Sequence, residues 1–138
     1  MTSYGSFSLS KSFTCSGLTD CLINTNIVPG ILKDFIYDEN NPGRLTYTGI
    51  PKTFNCSFRI KVTNNSNDNM KPSRIILYIN SIYKAYVLYN NHMIDSNVLK
   101  ISNSFILYTG DYIELYYCLF DDTYTLDISN LSICFTDS

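Results

Sequence analysis

The only histidine, His92, lies in an Asn-rich stretch from Tyr89 to Asn97. Imidazole changes charge near neutral pH, so His92 is the first place to look for general acid–base work. Composition leaves room for a nucleophile–His–carboxylate site, whose members need only meet in space. The chain carries no Gly-x-Ser-x-Gly elbow, no Gly-rich phosphate loop and no His-x-x-x-His pair. His92 therefore reads as a solvated loop residue, with hydrogen bonding to a ligand as the main alternative. Asp121-Asp122 could join loop carbonyls around calcium, but such a pair more often solvates a hairpin turn. Asp38-Glu39 reads the same way. The five cysteines (Cys15, Cys21, Cys56, Cys118, Cys134) are odd in number and include no Cys-x-x-Cys pair. That speaks against both a disulfide framework and a zinc site. Three of them fall within apolar strand patterns and read as small core-filling thiols. No catalytic site, metal or cofactor is expected.

The chain that must position these groups has 138 residues, room for one domain. At this size about 70% of the unfolded surface can be buried, so a core forms without disulfide or metal. Charged residues make up only 16%, and twelve Tyr and eight Phe stand beside no Trp. A net charge of -2 argues against nucleic acid, which demands a basic stripe, and against a polybasic membrane patch. The longest apolar runs, such as Ile113 to Phe120 with Glu114 inside it, are too short to span a membrane. The first residues show neither a basic cap nor an apolar core, so a secretory signal is not expected and a reducing compartment is. The glycosylation patterns at Asn55, Asn64 and Asn130 carry little weight in a chain so rich in Asn and Ser.

Short strands fill the sequence. From Thr53 to Thr63, the apolar set Phe54, Cys56, Phe58, Ile60 and Val62 alternates strictly with polar residues, a strand with one wet face. After the polar loop Asn64 to Pro72, Ser73–Asn80 and Ile82–Leu88 form a hairpin signal around Asn80-Ser81. Further strands are expected over Val98–Leu107, Tyr112–Leu119 and Thr123–Ile128, with Gly110 supplying a positive φ between the first two. The inward set Tyr124, Leu126, Ile128 then skips to Leu131, Ile133, Phe135, which calls for a bulge or tight turn at Ser129-Asn130. Upstream, Leu22–Val28, Ile31–Phe35 and Arg44–Thr48 supply shorter strands, separated by Pro29-Gly30 and Asn41-Pro42-Gly43. About ten strands of this kind mean an antiparallel sandwich or barrel.

Two strands break the usual alternation. Tyr112–Leu119 carries Tyr112, Glu114, Tyr116 and Cys118 on its second face, and Ser73–Asn80 carries Arg74, Ile76, Tyr78 and Asn80. Large apolar side chains left wet forgo about 1.5–3 kcal/mol each. Either something covers those faces or the chain self-associates there.

Gly43-Arg44-Leu45-Thr46-Tyr47-Thr48-Gly49, Lys52-Thr53-Phe54-Asn55-Cys56-Ser57-Phe58 and Leu107-Tyr108-Thr109-Gly110-Asp111-Tyr112-Ile113-Glu114-Leu115 together resemble viral fibre-head proteins. These belong to the wider group of tumour necrosis factor-like and complement globular-head jelly rolls. Asp121-Asp122-Thr123 and Leu131-Ser132-Ile133 complete the pattern, which extends from about Leu18 to Phe135. The resemblance implies an all-β, antiparallel jelly-roll sandwich over residues 18–138, with residues 1–17 as a leader or docking segment. It also implies a homotrimer whose inner sheets pack around a threefold axis. If the strand order carries over, Ser73–Asn80 and Tyr112–Leu119 lie in that inner sheet and Thr53–Thr63 in the outer one. Ile76, Tyr78, Tyr112, Glu114 and Tyr116 would then form the trimer interface. Glu114 would need hydration, an ion bridge or a partner such as Arg74.

The parity of connections adds a second expectation. The Asn64–Pro72, Tyr89–Asn97 and Phe120–Asp122 loops should share one end, with the Asn80-Ser81, Tyr108–Asp111 and Ser129-Asn130 turns at the other. The loop-rich end would present Asn65, Asn67, Asn69, Tyr89, Asn90, His92, Asp95, Asp121 and Asp122. Such loops either recognise polar ligands such as glycans or are plain solvated connections. The leading expectation is a head protein on the virion surface that attaches to a host receptor or glycan. The alternative is a capsid or decoration protein binding other virion components.

Overall fold

The computed structural model describes residues 2–11, 13–16, 21–24, 27–64, 72–90, 99–100, 104–119 and 125–137. Two antiparallel sheets face each other across one apolar layer. The seven-stranded sheet contains β1 (Tyr4–Leu9), β2 (Phe13–Ser16), β4 (Ile27–Lys33), β7 (Lys52–Asn64), β10 (Leu99–Lys100), β11 (Phe105–Leu107) and β13 (Thr125–Asp137). Its main path runs β10-β7-β13-β1-β4. The six-stranded sheet contains β3 (Cys21–Leu22), β5 (Phe35–Tyr37), β6 (Leu45–Tyr47), β8 (Pro72–Ile79), β9 (Ile82–Asn90) and β12 (Tyr112–Leu119), with main path β5-β6-β12-β8-β9.

Alternation builds the core from both sides. Phe54, Cys56 and Phe58 of β7 and Leu131, Ile133 and Phe135 of β13 meet Ile75, Leu77 and Ile79 of β8 and Ile113, Leu115 and Tyr117 of β12. Phe35, Tyr47 and Phe54 pack at tilted and edge-on angles, with centroids 5.0–5.5 Å apart, an arrangement aromatic quadrupoles favour. As expected, Ser73–Asn80 and Tyr112–Leu119 share one sheet and pair directly, while Thr53–Thr63 lies in the other.

The register break falls where the sequence puts it. β13 runs continuously past Ser129, and its pairing with β7 shifts between Ile128 and Asn130. This bulge lets Ile128 and Leu131 both face the core despite their odd spacing. It sits within a strand, so Ser129-Asn130 is not an end turn. Asn80 (φ 53°) and Ser81 (φ 64°) supply the two left-handed residues of a tight hairpin. Gly43 (φ 84°) touches the Ile23 backbone so closely that a Cβ would strike its carbonyl oxygen.

The N-terminal segment departs from expectation. Residues 1–17 were expected to be a leader or docking segment outside the jelly roll, yet β1 lies between β13 and β4, and Phe7 is buried in the core. Its Gly-Ser-Phe-Ser-Leu run looks like a loose tail because only Phe7 and Leu9 are apolar, but its small outward residues suit a central strand. β2 pairs with the first half of β13. The expected strand Leu22–Val28 resolves into β3 and β4, and Asp34 at φ 64° separates β4 from β5. Val98–Leu107 resolves into β10 and β11. β9 continues through Tyr89 and Asn90, which were expected in a loop.

Candidate functional site: two ends and two outer faces

One end is made of tight turns fastened together. The Asp111 carboxylate accepts from Asn80 Nδ2 at 2.8 Å and from the Tyr108 amide at 2.8 Å, while Asn80 Oδ1 accepts from the Tyr112 amide at 3.0 Å. The Gly110 amide reaches the Tyr47 carbonyl at 2.7 Å, Thr109 Oγ1 donates to the Gly49 carbonyl, and Tyr47 OH donates to that of Ile50. Ile50, Ile82 and Tyr108 are exposed on or beside these turns, with Ile106 one residue before Leu107. Strand ends converge at the opposite end, where Asn64 pairs Leu126, Pro72 pairs Asn90 and Ser73 pairs Leu119. The connections they bound hold Asn65, Asn67, Asn69, His92, Asp95, Asp121 and Asp122, all outside the described residues. Tyr89 and Asn90 close β9 at this end. Among the described residues, no three His, Cys, Asp or Glu side chains gather as metal ligands, and no helix is long and apolar enough to cross a membrane.

The outer face of the six-stranded sheet is partly closed by its own side chains. Ile76 is 1% exposed and Glu114 5% exposed in the single chain, so neither presents surface to a partner as expected. Tyr78 and Tyr116, half-buried, tilt against each other across the strand pair with centroids 4.5 Å apart. The Glu114 carboxylate meets Arg44 Nε at 3.5 Å. Arg44, not Arg74, is therefore the cation beside Glu114; Arg74 opposes Cys118 further along β12. The Arg44 guanidinium also sits 4.0 Å above the Tyr112 ring. Tyr112 OH in turn lies 2.7 Å from Ser81 Oγ. The β6–β12 register (Thr46 opposite Tyr112, Leu45 opposite Ile113) carries residue 44 to Glu114. The sequence alone does not reveal that pairing.

The outer face of the seven-stranded sheet carries mostly small and polar side chains. Asn55, Ser57 and Arg59 on β7 stand beside Thr136, Cys134 and Ser132 on β13, and these beside Tyr4, Ser6 and Ser8 on β1. A shallow hollow of about 180 Å³ is lined by Ser57, Phe58, Arg59, Ser132 and Cys134. Cys134 is half-buried, and burial pushes its thiol up; Cys56, fully buried on the core side, is pushed further the same way.

A polar clamp ties the chain's two terminal regions to the sheet, and sequence reading missed it because its members are far apart in the chain. Asp137 Oδ2 accepts from the Ser3 amide at 2.9 Å and from Lys52 Nζ at 3.2 Å. Lys52 Nζ also reaches Ser3 Oγ at 3.0 Å, and that hydroxyl donates to Asp34 Oδ2 at 2.5 Å. The Ser3 amide, and then Lys52, hold the Asp137 carboxyl below its usual range. Lys52 paired in this way is a charged structural partner, and Ser3, with no exposed surface, has no access to substrate.

Solved structures of very different sequence share this architecture. The PRD1 vertex protein P5 aligns with a TM-score of 0.63 at 10% identity, over 98% of this chain and 96% of that one. Eiger TNF from S. frugiperda aligns with a TM-score of 0.60 at 10% identity, over 99% of this chain and 92% of that one. The fold is a tumour necrosis factor-like jelly roll. No protein-family model and no curated protein matches the chain.

Proposed function

We propose that this jelly roll is the head of a virion surface protein that assembles as a homotrimer and works by attachment, without catalysis. The observation that carries this reading is the near end-to-end match to a vertex protein, in which neither chain has a large part left over. The fibre-head resemblance of the sequence supports it on separate grounds.

The interface we propose differs from the one expected from sequence. The six-stranded face already buries Ile76 and Cys118 within one chain, so these two side chains need no partner to cover them. The seven-stranded face, with Ser6, Ser8, Ser57, Ser132 and Cys134, lets a neighbouring backbone approach closely, and its hollow has room for a partner's side chain. In this reading three copies meet through the seven-stranded sheets and turn the six-stranded sheets outward. The loop-rich end remains available to a host receptor.

Sedimentation velocity at micromolar concentration tests assembly, with a trimer expected and a stable monomer overturning it. Binding to host cells tests attachment. Stoichiometric binding to capsid protein with no binding to cells would replace attachment with a decoration role on the virion.

A further inference from the structure

The outward face of β8 and β12 holds a constellation that lies outside the apolar core. Tyr78 and Tyr116 form a half-buried pair of rings. Glu114 lies opposite Tyr78 and two residues before Tyr116 on the same strand face, a spacing of about 7 Å. Glu114 holds Arg44 from one side and the Tyr112 ring holds it from below, yet 28% of the Arg44 side chain stays exposed. A planar donor group held by Glu114 and Tyr112 thus shares one sheet face with an aromatic pair.

We propose that this face binds a neutral saccharide ring. A pyranose has an apolar face of C–H groups and a rim of hydroxyl oxygens. The Tyr78–Tyr116 pair offers π surface to the first, and the Arg44 guanidinium donates hydrogen bonds to the second. Glu114 offsets the charge of Arg44, so the site has little net pull on an anion and suits a neutral ring. Because Glu114 and Tyr112 already fix the fork, little freedom is lost on binding. A single shallow site of this kind binds weakly, and three copies on one trimer strengthen attachment to a glycan-bearing surface.

The biological role of this site rests on the attachment reading; its geometry does not. The test titrates the full chain with lactose, maltose and cellobiose and follows amide shifts by NMR. At least one sugar should give saturable shifts centred on Tyr78, Tyr112 and Tyr116. Tyr116→Ala should weaken binding about tenfold and Tyr116→Phe should leave it nearly unchanged, as expected for a stacking contact. Should Tyr116→Ala not fold, Arg44→Lys, which keeps the charge and loses the fork, should weaken binding about fivefold. No saturable shift with any of the three sugars, shifts mapping elsewhere, or undiminished binding by folded Tyr116→Ala or Arg44→Lys would overturn the proposal. Cells bound by a chain that binds no sugar would leave attachment standing and remove this site. Sugar bound by a chain that ignores cells would do the reverse.

Discussion

On the seven-stranded sheet, the outward positions of β1, β7 and β13 carry mainly small residues, Ser6, Ser8, Ser57, Ser132, Cys134 and Thr136, with Tyr4, Asn55 and Arg59 among them; on the six-stranded sheet, those of β8 and β12 carry Arg74, Ile76, Tyr78, Tyr112, Glu114, Tyr116 and Cys118. Both sheets obey the same alternation and bury equally apolar inner faces. Outside, they differ in how far they finish themselves. The small residues cannot cover their own backbone and leave a hollow. On the six-stranded face Ile76 is buried within one chain, and Tyr116 opposite it tilts against Tyr78. Large outward side chains therefore do not by themselves call for a partner. What matters is whether neighbours on the same face can close over one another.

The largest effect that would break this comparison is Ser132→Arg. Ser132 is exposed in the single chain, so the variant should fold normally by circular dichroism. In an assembly through that face it would add three charges beside those of Arg59, each buried like charge costing several kcal/mol, and light scattering should show monomer at micromolar concentration. A trimer unchanged by Ser132→Arg would move the interface elsewhere.

Arg44→Gln probes the other face. Removing one partner of a buried ion pair costs about 3–5 kcal/mol; with Arg44 partly exposed, a loss of about 1–3 kcal/mol is expected in urea unfolding. Adding Glu114→Gln should recover part of that loss, because the stranded charge is then gone. Tyr78→Ala removes one ring of the tilted pair, worth about 0.5–1.5 kcal/mol beyond its buried area, and should leave the oligomer intact.

Acid should act on the clamp below both faces. The Asp137 carboxyl is held low in the folded chain, so the unfolded chain takes up its proton first as pH falls. The stabilisation is complete above the unfolded value near 3.9 and disappears as pH drops through the lower folded value. The urea midpoint should fall from about pH 5 downward, and Asp137→Asn should flatten part of that slope.

The fold was legible wherever one residue decided one position. The period of two over Thr53–Thr63, the odd spacing from Ile128 to Leu131 and the Asn80-Ser81 turn each state a local geometry that nothing distant contradicts. What was not legible depends on pairing partners. Tyr4–Leu9 becomes a central strand only because β13 and β4 flank it, and Arg44 reaches Glu114 only through the β6–β12 register. The doubly apolar strands were read correctly as two-faced. The contact of Tyr78 with Tyr116 on that face depends on a cross-strand register that the sequence does not reveal.

The division of labour between the faces is tested most directly by thiol labelling across a protein concentration series, read residue by residue with mass spectrometry. Cys134 lies half-buried on the seven-stranded outer face, while Cys21 packs against the core beside Tyr117 and serves as an internal control. Labelling of Cys134 should slow as the trimer forms, while Cys21 keeps its rate. A trimer that forms with the Cys134 rate unchanged would contradict the account.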